Sequence, residues 1–437
     1  MHSAPTGAPV QRTRTATRLP FVLYASILVT LLAASSAPTP LYPIYQERWG
    51  LSALAVTLVF SAYALALLAA LLTTGGLSDH VGRRPVLVGA LVLEAASMAA
   101  FAAADGTGAL IAARALQGAA TGGATSAAGA VLVDLDDPVR PGRSALTNSV
   151  APAAGMATGV LAATLLVRYA PGPTVTVYVS LMILFVTQAI AVFSVPETAR
   201  PHPGAWRSLR PRVAMPPATR RALLLCGGGV AAVWALGGFY SSLGPAFVHL
   251  AAPGSPQAAG GMVFFTLALS AAVTMGTTRG LRPVTATLLG CCAAPLSMAL
   301  SLAGMHLASL VAVFTAAVLA GVAFGAVSQG SLRLVLAPVP QPGRSATLAA
   351  YYVLSYVAMS LPAVGVGLLT ELYGLRTAAH LYAAVVVLLS VTAAARLFAA
   401  LRHSSVPAEE HAGAPPRAAP VAAGLRVAGK SLPATCK

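Results

Sequence analysis

Twelve stretches of mainly apolar residues, each near the roughly 20 that a helix needs to cross hydrocarbon, dominate this sequence. They lie near residues 20–44, 53–75, 85–104, 108–132, 144–167 and 173–195 in the first half. In the second half they lie near 221–247, 258–277, 283–303, 306–332, 346–370 and 377–400. A water-soluble fold of 437 residues could not bury so much apolar surface: 9% of the chain is charged, against about a quarter in soluble domains. The pattern predicts an all-α membrane protein with twelve transmembrane helices. Inside the bilayer, each backbone N–H and C=O then finds its partner within its own helix.

The formal net charge of +16 raises the question of nucleic acid, and its distribution argues against it. Of the 27 Lys and Arg, 23 fall in the tails and in alternate loops, three in the other loops (Arg48, Arg168, Arg376), and Arg114 within a span. That asymmetry is the positive-inside rule. It predicts a multi-pass plasma (inner) membrane protein with both termini cytoplasmic, whose basic loops face lipid headgroups. Residues 1–19 are polar, and the apolar run after them exceeds that of a cleavable signal peptide. The four cysteines imply no disulfide framework.

A Pro- and Arg-rich stretch at 196–220 divides the chain. The expected organisation is a cytoplasmic N-tail (1–19), a six-helix bundle (20–195), a cytoplasmic linker (196–220), a second six-helix bundle (221–402) and a disordered Ala/Pro-rich tail (403–437). The halves echo each other. Pro141-Gly142-Arg143-Ser144-Ala145 before span 5 recurs as Pro342-Gly343-Arg344-Ser345-Ala346 before span 11. Gly82-Arg83-Arg84-Pro85-Val86 recurs as Gly280-Leu281-Arg282-Pro283-Val284. Duplicated halves around a midplane site are the architecture of alternating-access transporters.

The loop between spans 2 and 3 reads Gly75-Gly76-Leu77-Ser78-Asp79-His80-Val81-Gly82-Arg83-Arg84. It resembles the loop 2–3 signature of the major facilitator superfamily, Gly-x-Leu-[Ser/Ala]-Asp-x-x-Gly-Arg-[Arg/Lys]. Span 4 carries Arg114-Ala115-Leu116-Gln117-Gly118, which resembles that superfamily's Arg-x-x-Gln-Gly signature. The resemblance implies two pseudo-symmetric six-helix bundles that rock against each other. It also implies a conformational latch made by Gly75, Asp79, Gly82, Arg83 and Arg84. Asp79 would accept hydrogen bonds at the start of span 11, near Arg344, and Arg83 would pair with Asp134 or Asp136 at the end of span 4. The second copy lacks the acid, since Thr277 stands where Asp79 would be. Span 5 lacks the Gly-Pro that proton-driven drug exporters of the superfamily usually carry at mid-depth, reading Gly155-Met156-Ala157 there.

Within the spans, ionisable groups are the informative ones. An arginine at the centre of a span costs about 2.5–3.5 kcal/mol on insertion scales, so Arg114 should face a cavity or a partner, or else snorkel. Glu94, the one acid inside a predicted span, is a candidate proton carrier or a structural partner for a polar group. Gln117, Tyr63, Tyr240, Gln329, Tyr352 and Tyr356 complete the candidate cavity, which suits an amphipathic substrate. The pattern Gly-x-x-x-x-Gly-Lys-[Ser/Thr] of a phosphate loop occurs once, at Gly424-Leu425-Arg426-Val427-Ala428-Gly429-Lys430-Ser431 in the Ala/Pro-rich tail. No strand pattern precedes it there and no helical apolar periodicity follows it, so no cofactor is expected and a proton gradient is the expected energy source. No metal site is expected either.

The reading is therefore a secondary transporter rather than an enzyme: a proton-coupled exporter of a small organic, amphipathic compound. Its expected partners are a small-molecule substrate, protons and the lipid bilayer, without nucleic acid, and it is expected to act as a monomer. The alternative is a proton-linked importer of an organic anion, amino acid or sugar. An intramembrane enzyme or a non-transporting sensor stands further off.

Overall fold

The computed structural model describes residues 14–136, 142–199, 201–211, 213, 217–340 and 343–404. The tails at 1–19 and 403–437 and parts of the linker lie largely outside the described residues. Residues up to Phe398 form one compact unit; of the second, from Ala399, only the end of the last helix is described.

Among the described residues every regular element is helical. The first six long helices are α1 (Arg14–Ser36), α2 (Ala53–Thr74), α3 (Arg83–Ala102), α4 (Thr107–Asp134), α5 (Arg143–Tyr169) and α6 (Pro173–Val192). The next four are α7 (Pro217–Ser242), α8 (Ala258–Thr277), α9 (Pro283–His306) and α10 (Leu310–Leu336). A final continuous run, Arg344–Ser404, is broken at Gly374, where φ is +79° and ψ 155°, into α11 before it and α12 after it. Ten of these segments are long and apolar enough to span a membrane, with the broken run counted once. The break supplies one more. The twelfth is α4, whose Arg, Gln, Thr and Gly content dilutes its hydropathy.

Two spans end well before the sequence predicts, each for a proline reason. Span 1 does not continue to residue 44. Pro38, Pro40 and Pro43 remove backbone donors, so α1 ends at Ser36, a 3-10 turn covers Thr39–Leu41 and a short helix runs Tyr42–Trp49. Likewise α7 stops at Ser242, and a separate helix, Gly244–Ala251, begins with Pro245 in its first turn.

Lipid tails are as apolar as leucine, so helices here associate through close backbone approach rather than hydrophobic exclusion. The two halves use the same device. On α4, a Cβ added to Gly118 would lie 2.2 Å from the Tyr63 carbonyl oxygen of α2, and one on Gly122 2.6 Å from that of Leu67. On α10, a Cβ on Gly321 would lie 2.3 Å from the Leu267 oxygen of α8, and one on Gly325 2.6 Å from that of Ala271. The same i, i+4 glycine pair thus meets the same i, i+4 carbonyl pair in both bundles. Around these contacts, Leu31, Leu87, Val131 and Phe185 belong to a core in the first half, and Val230, Ala294, Val327 and Leu397 to one in the second.

Gly118→Leu is expected to destabilise the protein by about 1–3 kcal/mol, the usual cost of overpacking, or to abolish its accumulation. Gly89→Leu, at an α3 position where an added Cβ meets nothing within 4 Å, should melt like the wild type in a detergent thermal-unfolding assay.

Candidate functional site

The face carrying the Arg-rich loops between α2 and α3, α4 and α5, α8 and α9, and α10 and α11 is termed the basic face. A cavity of about 620 Å³ enters between the bundles from this side. Gly142, Arg279, Arg333 and Leu336, all at helix ends on the basic face, line its mouth. Its far end is lined by Thr39 and Ser241, where the Thr39 hydroxyl donates to the Ser241 carbonyl at 3.0 Å.

Beyond that contact the two bundles meet directly. The Ser61 hydroxyl donates to the Ser360 carbonyl at 3.2 Å, and the Leu54 N–H to Glu371 Oε1 at 3.1 Å. Gly367 of α11 lies against Thr57 of α2, and Gly261 of α8 against Thr164 of α5, each so closely that an added Cβ would fall 2.2 Å from a threonine oxygen. Halfway down, Tyr63 and Leu67 pack on Tyr356 and Met359, and Ala153 on Ala271 and Met275. Nearer the basic face, Leu71, Leu146 and Leu332 line the open cavity instead. The bundles are therefore closed on the face opposite the basic loops and splayed on the basic one.

The cavity wall is aromatic and sparsely polar. Trp234 of α7 packs against Phe324 of α10 (ring centroids 5.4 Å apart) and edge-on against Tyr356 of α11 (5.1 Å). Tyr352 adjoins Tyr356 at 6.1 Å. Gln329 lines the wall and accepts a hydrogen bond from the Thr278 hydroxyl at 2.9 Å, which leaves its amide N–H groups for a ligand. Of the candidates, Tyr63, Gln329, Tyr352 and Tyr356 line the cavity. Tyr240 does not: its hydroxyl is buried and hydrogen-bonded to Ser301 of α9 at 2.7 Å.

Glu94, Arg114 and Gln117 also lie outside the cavity lining, in a polar cluster packed just behind it. Arg114 is 1% exposed. Its guanidinium donates to the Ser35 carbonyl (2.9 Å), to Gln117 Oε1 (2.8 Å) and to the Tyr42 hydroxyl (2.9 Å), so it does not snorkel. It also stands over the Tyr63 ring at 5.3 Å from the centroid, within cation–π range. Glu94 is fully buried and accepts from the Thr121 hydroxyl through Oε1, while Oε2 has no hydrogen-bond partner. Ser35, Tyr63 and Thr121 each face the cavity and also touch this cluster, forming its thin wall. Ser35 and Tyr42 escaped the sequence reading because hydroxyls and backbone carbonyls on other helices leave no periodic signal.

On the basic face, Arg83 Nε donates to Asp134 Oδ2 at 3.3 Å, and its Nη1 donates to Ser78 at 2.8 Å and to the Asp79 carboxylate. The resemblance places Asp79 on the start of span 11; here its carboxylate accepts from Arg83 of its own loop. Arg344 instead donates to the Val339 carbonyl at 3.2 Å. Asp136 accepts from the N–H groups of Gly142 (3.3 Å) and Ser144 (3.2 Å) at the start of α5.

A residue not anticipated anchors the whole loop. Glu197, just past α6, accepts from the N–H groups of Arg83 (3.0 Å) and Arg84 (2.9 Å), the first donors of α3. Gly82, with φ +112°, brings the backbone so near that an added Cβ would lie 2.9 Å from Glu197 Oε2. Arg84 completes the anchor, donating to the Phe193 carbonyl and lying 4.9 Å from that ring's centroid. The linker adds a further contact, with the His202 N–H donating to the His80 carbonyl at 3.2 Å. A scarce acid in Pro196-Glu197-Thr198, directly after a span, was the available sequence signal. In the second half the polarity is reversed: Arg333 at the end of α10 donates to the carbonyls of Arg279 (2.9 Å) and Leu281 (3.1 Å).

The sequence profile of the Major Facilitator Superfamily matches residues 24–361. The chain belongs to that superfamily. Among curated proteins no sequence match was found. Solved superfamily-like structures agree on the fold. A bacterial homologue of the human lysosomal transporter Spinster, inward-facing and unoccupied, superposes with a TM-score of 0.72 at 12% identity, covering 89% of this chain and 98% of the other. The nucleoside transporter NupG (D323A mutant) gives 0.69 at 14%, covering 86% and 99%. The human organic anion transporter MFSD10 (TETRAN) gives 0.61 at 18%, covering 86% and 99%. The chain is thus a multi-pass membrane transporter of this superfamily.

Burial pushes the Glu197 carboxyl up, but the N–H groups of Ala199, Arg84, Arg83 and Thr198 outweigh it and hold the group below its ordinary value of 4.5. Its contribution to stability is then complete above that value and is lost as pH falls through the lower folded one. Acidification below about pH 4.5 should therefore cost the wild type more melting temperature than Glu197→Gln. Equal losses in a pH series of thermal melts would contradict the anchor.

Proposed function

We propose that this transporter is a proton-coupled exporter of a small organic, amphipathic compound, working by alternating access. The carrying observation is the cavity itself: aromatic on Trp234, Phe324 and Tyr356, polar at a few points, and separated by one residue layer from a buried carboxyl–guanidinium cluster. An apolar wall with few convergent polar groups favours a substrate with an aromatic or aliphatic body. Read by the positive-inside rule, the basic face is cytoplasmic and the conformation is inward-open, so substrate enters from the cytoplasm.

Coupling follows from charge balance. Glu94 and Arg114 share a medium that penalises an unbalanced charge. A proton taken up by Glu94 removes the negative charge that offsets Arg114, and the guanidinium must strengthen its hold on Ser35, Gln117 and Tyr42. Tyr63 transmits this change, because one face of its ring meets Arg114 and its neighbours pack on Tyr356 and Met359 of the other bundle. The loop 2–3 latch acts at the opposite end of the same helix pair. When the basic face closes, Asp79 exchanges Arg83 for the exposed N–H groups at the start of α11, beside Arg344.

The organic-anion importer is the second reading, favoured by Arg279 and Arg333, the charged residues of the cavity lining. A substrate screen in inverted vesicles with an imposed pH gradient separates the two. Export coupled to protons appears as uptake into vesicles that are acidic inside, and Glu94→Gln should abolish the gradient-driven component while leaving exchange of bound substrate. Undiminished pH-driven uptake by Glu94→Gln would return Glu94 to a structural role.

A further inference from the structure

On the face opposite the basic loops, two histidines meet away from the cavity. His306 is the last residue of α9, and His380 lies in the first turns of α12. Their Nε2 atoms are 2.9 Å apart, with ring planes inclined by 53°. Nδ1 of His380 lies 2.8 Å from the Arg376 carbonyl oxygen. A carbonyl only accepts, so Nδ1 carries a proton, and Nε2 of the neutral His380 ring presents its lone pair. His306 is then held with its proton on Nε2. One proton thus sits between two imidazole nitrogens, and its shift to Nδ1 of His306 would leave two neutral rings with lone pairs aimed at the same small volume.

We propose that His306 and His380 form a chelating site for a divalent transition-metal ion of the zinc class, in which the metal takes the place of the shared proton. Zinc–imidazole bonds of about 2.0–2.1 Å at a tetrahedral angle set the nitrogens about 3.3 Å apart. The rings reach that spacing by opening a few tenths of an ångström through the broad χ2 torsion of histidine. A carbonyl on the second ring nitrogen, as His380 has, is the outer arrangement that orients metal-bound imidazoles and raises their basicity. Paired neutral imidazoles select zinc, copper or nickel over magnesium and calcium, which prefer oxygen. His306 is exposed, so water can complete the coordination shell. On binding, the His306 proton moves through solvent from Nε2 to Nδ1, so both rings stay neutral with their Nε2 lone pairs on the metal. The metal ties α9 to α12 within one bundle, leaving the joint between the bundles free. No cluster of three or more such ligands occurs among the described residues, so the site is a two-residue one.

The test uses the full chain in lipid nanodiscs and zinc chloride as the probe. Calorimetric titration should show one zinc equivalent fewer in His306→Asn, and likewise in His380→Gln, than in the wild type. In the wild type alone, zinc should protect His306 and His380 from diethyl pyrocarbonate, read residue by residue by mass spectrometry. Exposed His249 should label equally with and without zinc. Unchanged zinc equivalents in both variants, or unchanged labelling of the wild-type pair on adding zinc, would overturn the proposal, and the labelling arm decides even if a variant fails to fold.

Discussion

Hydrocarbon offers a peptide group no hydrogen-bond partner, and most features of this transporter descend from that constraint. It requires helices wherever the chain crosses the bilayer. It also weakens the hydrophobic drive between them, so the bundles hold together through backbone contacts at Gly118, Gly122, Gly321 and Gly325. Where prolines remove donors, after Ser36 and after Ser242, the helices end and short helices turn along the closed face. The first interruption supplies Thr39, whose hydroxyl meets the Ser241 carbonyl in the last turn of α7 and seals the far end of the cavity.

The same constraint makes the few buried polar groups consequential. Arg114 is tolerable only because Ser35, Gln117, Tyr42 and the ring of Tyr63 surround it. Glu94 keeps one oxygen without a partner. It is on this incompletely satisfied cluster, one layer from the cavity, that the proposed proton coupling rests. The basic-face loop follows similar logic in a wetter setting, where Glu197 accepts from the first N–H groups of α3 and Arg83 bridges Asp79 and Asp134.

The fold was legible because its signal is coarse. Span length, loop charge and the repeated Pro-Gly-Arg-Ser-Ala segments survive any uncertainty about single residues. Arg114, Gln117 and Glu94 were legible as exceptions in an apolar background, and the structure gathers them into one cluster. Their position behind the cavity rather than on it was not legible, because helical periodicity gives a face but not the neighbour it meets. Tyr240 illustrates this: its spacing fits a cavity wall, yet Ser301 of α9 claims it. Glu197 and the Thr39–Ser241 contact depend on pairings between distant segments, which one sequence does not encode in any local pattern.

Under the proposed alternating access, closure on one face and opening on the other are exclusive, and α2 and α11, which touch at Ser61–Ser360 and Thr57–Gly367, span both faces. Spin-label distances across that pair test it most directly, one pair of labels near Thr74 and Ser345 on the basic face and one near Ser52 and Leu372 on the opposite face. Under an imposed pH shift or substrate, alternating access requires the two distances to change in opposite senses, the first shortening as the second lengthens. Distances that stay fixed, or that lengthen together, would contradict it.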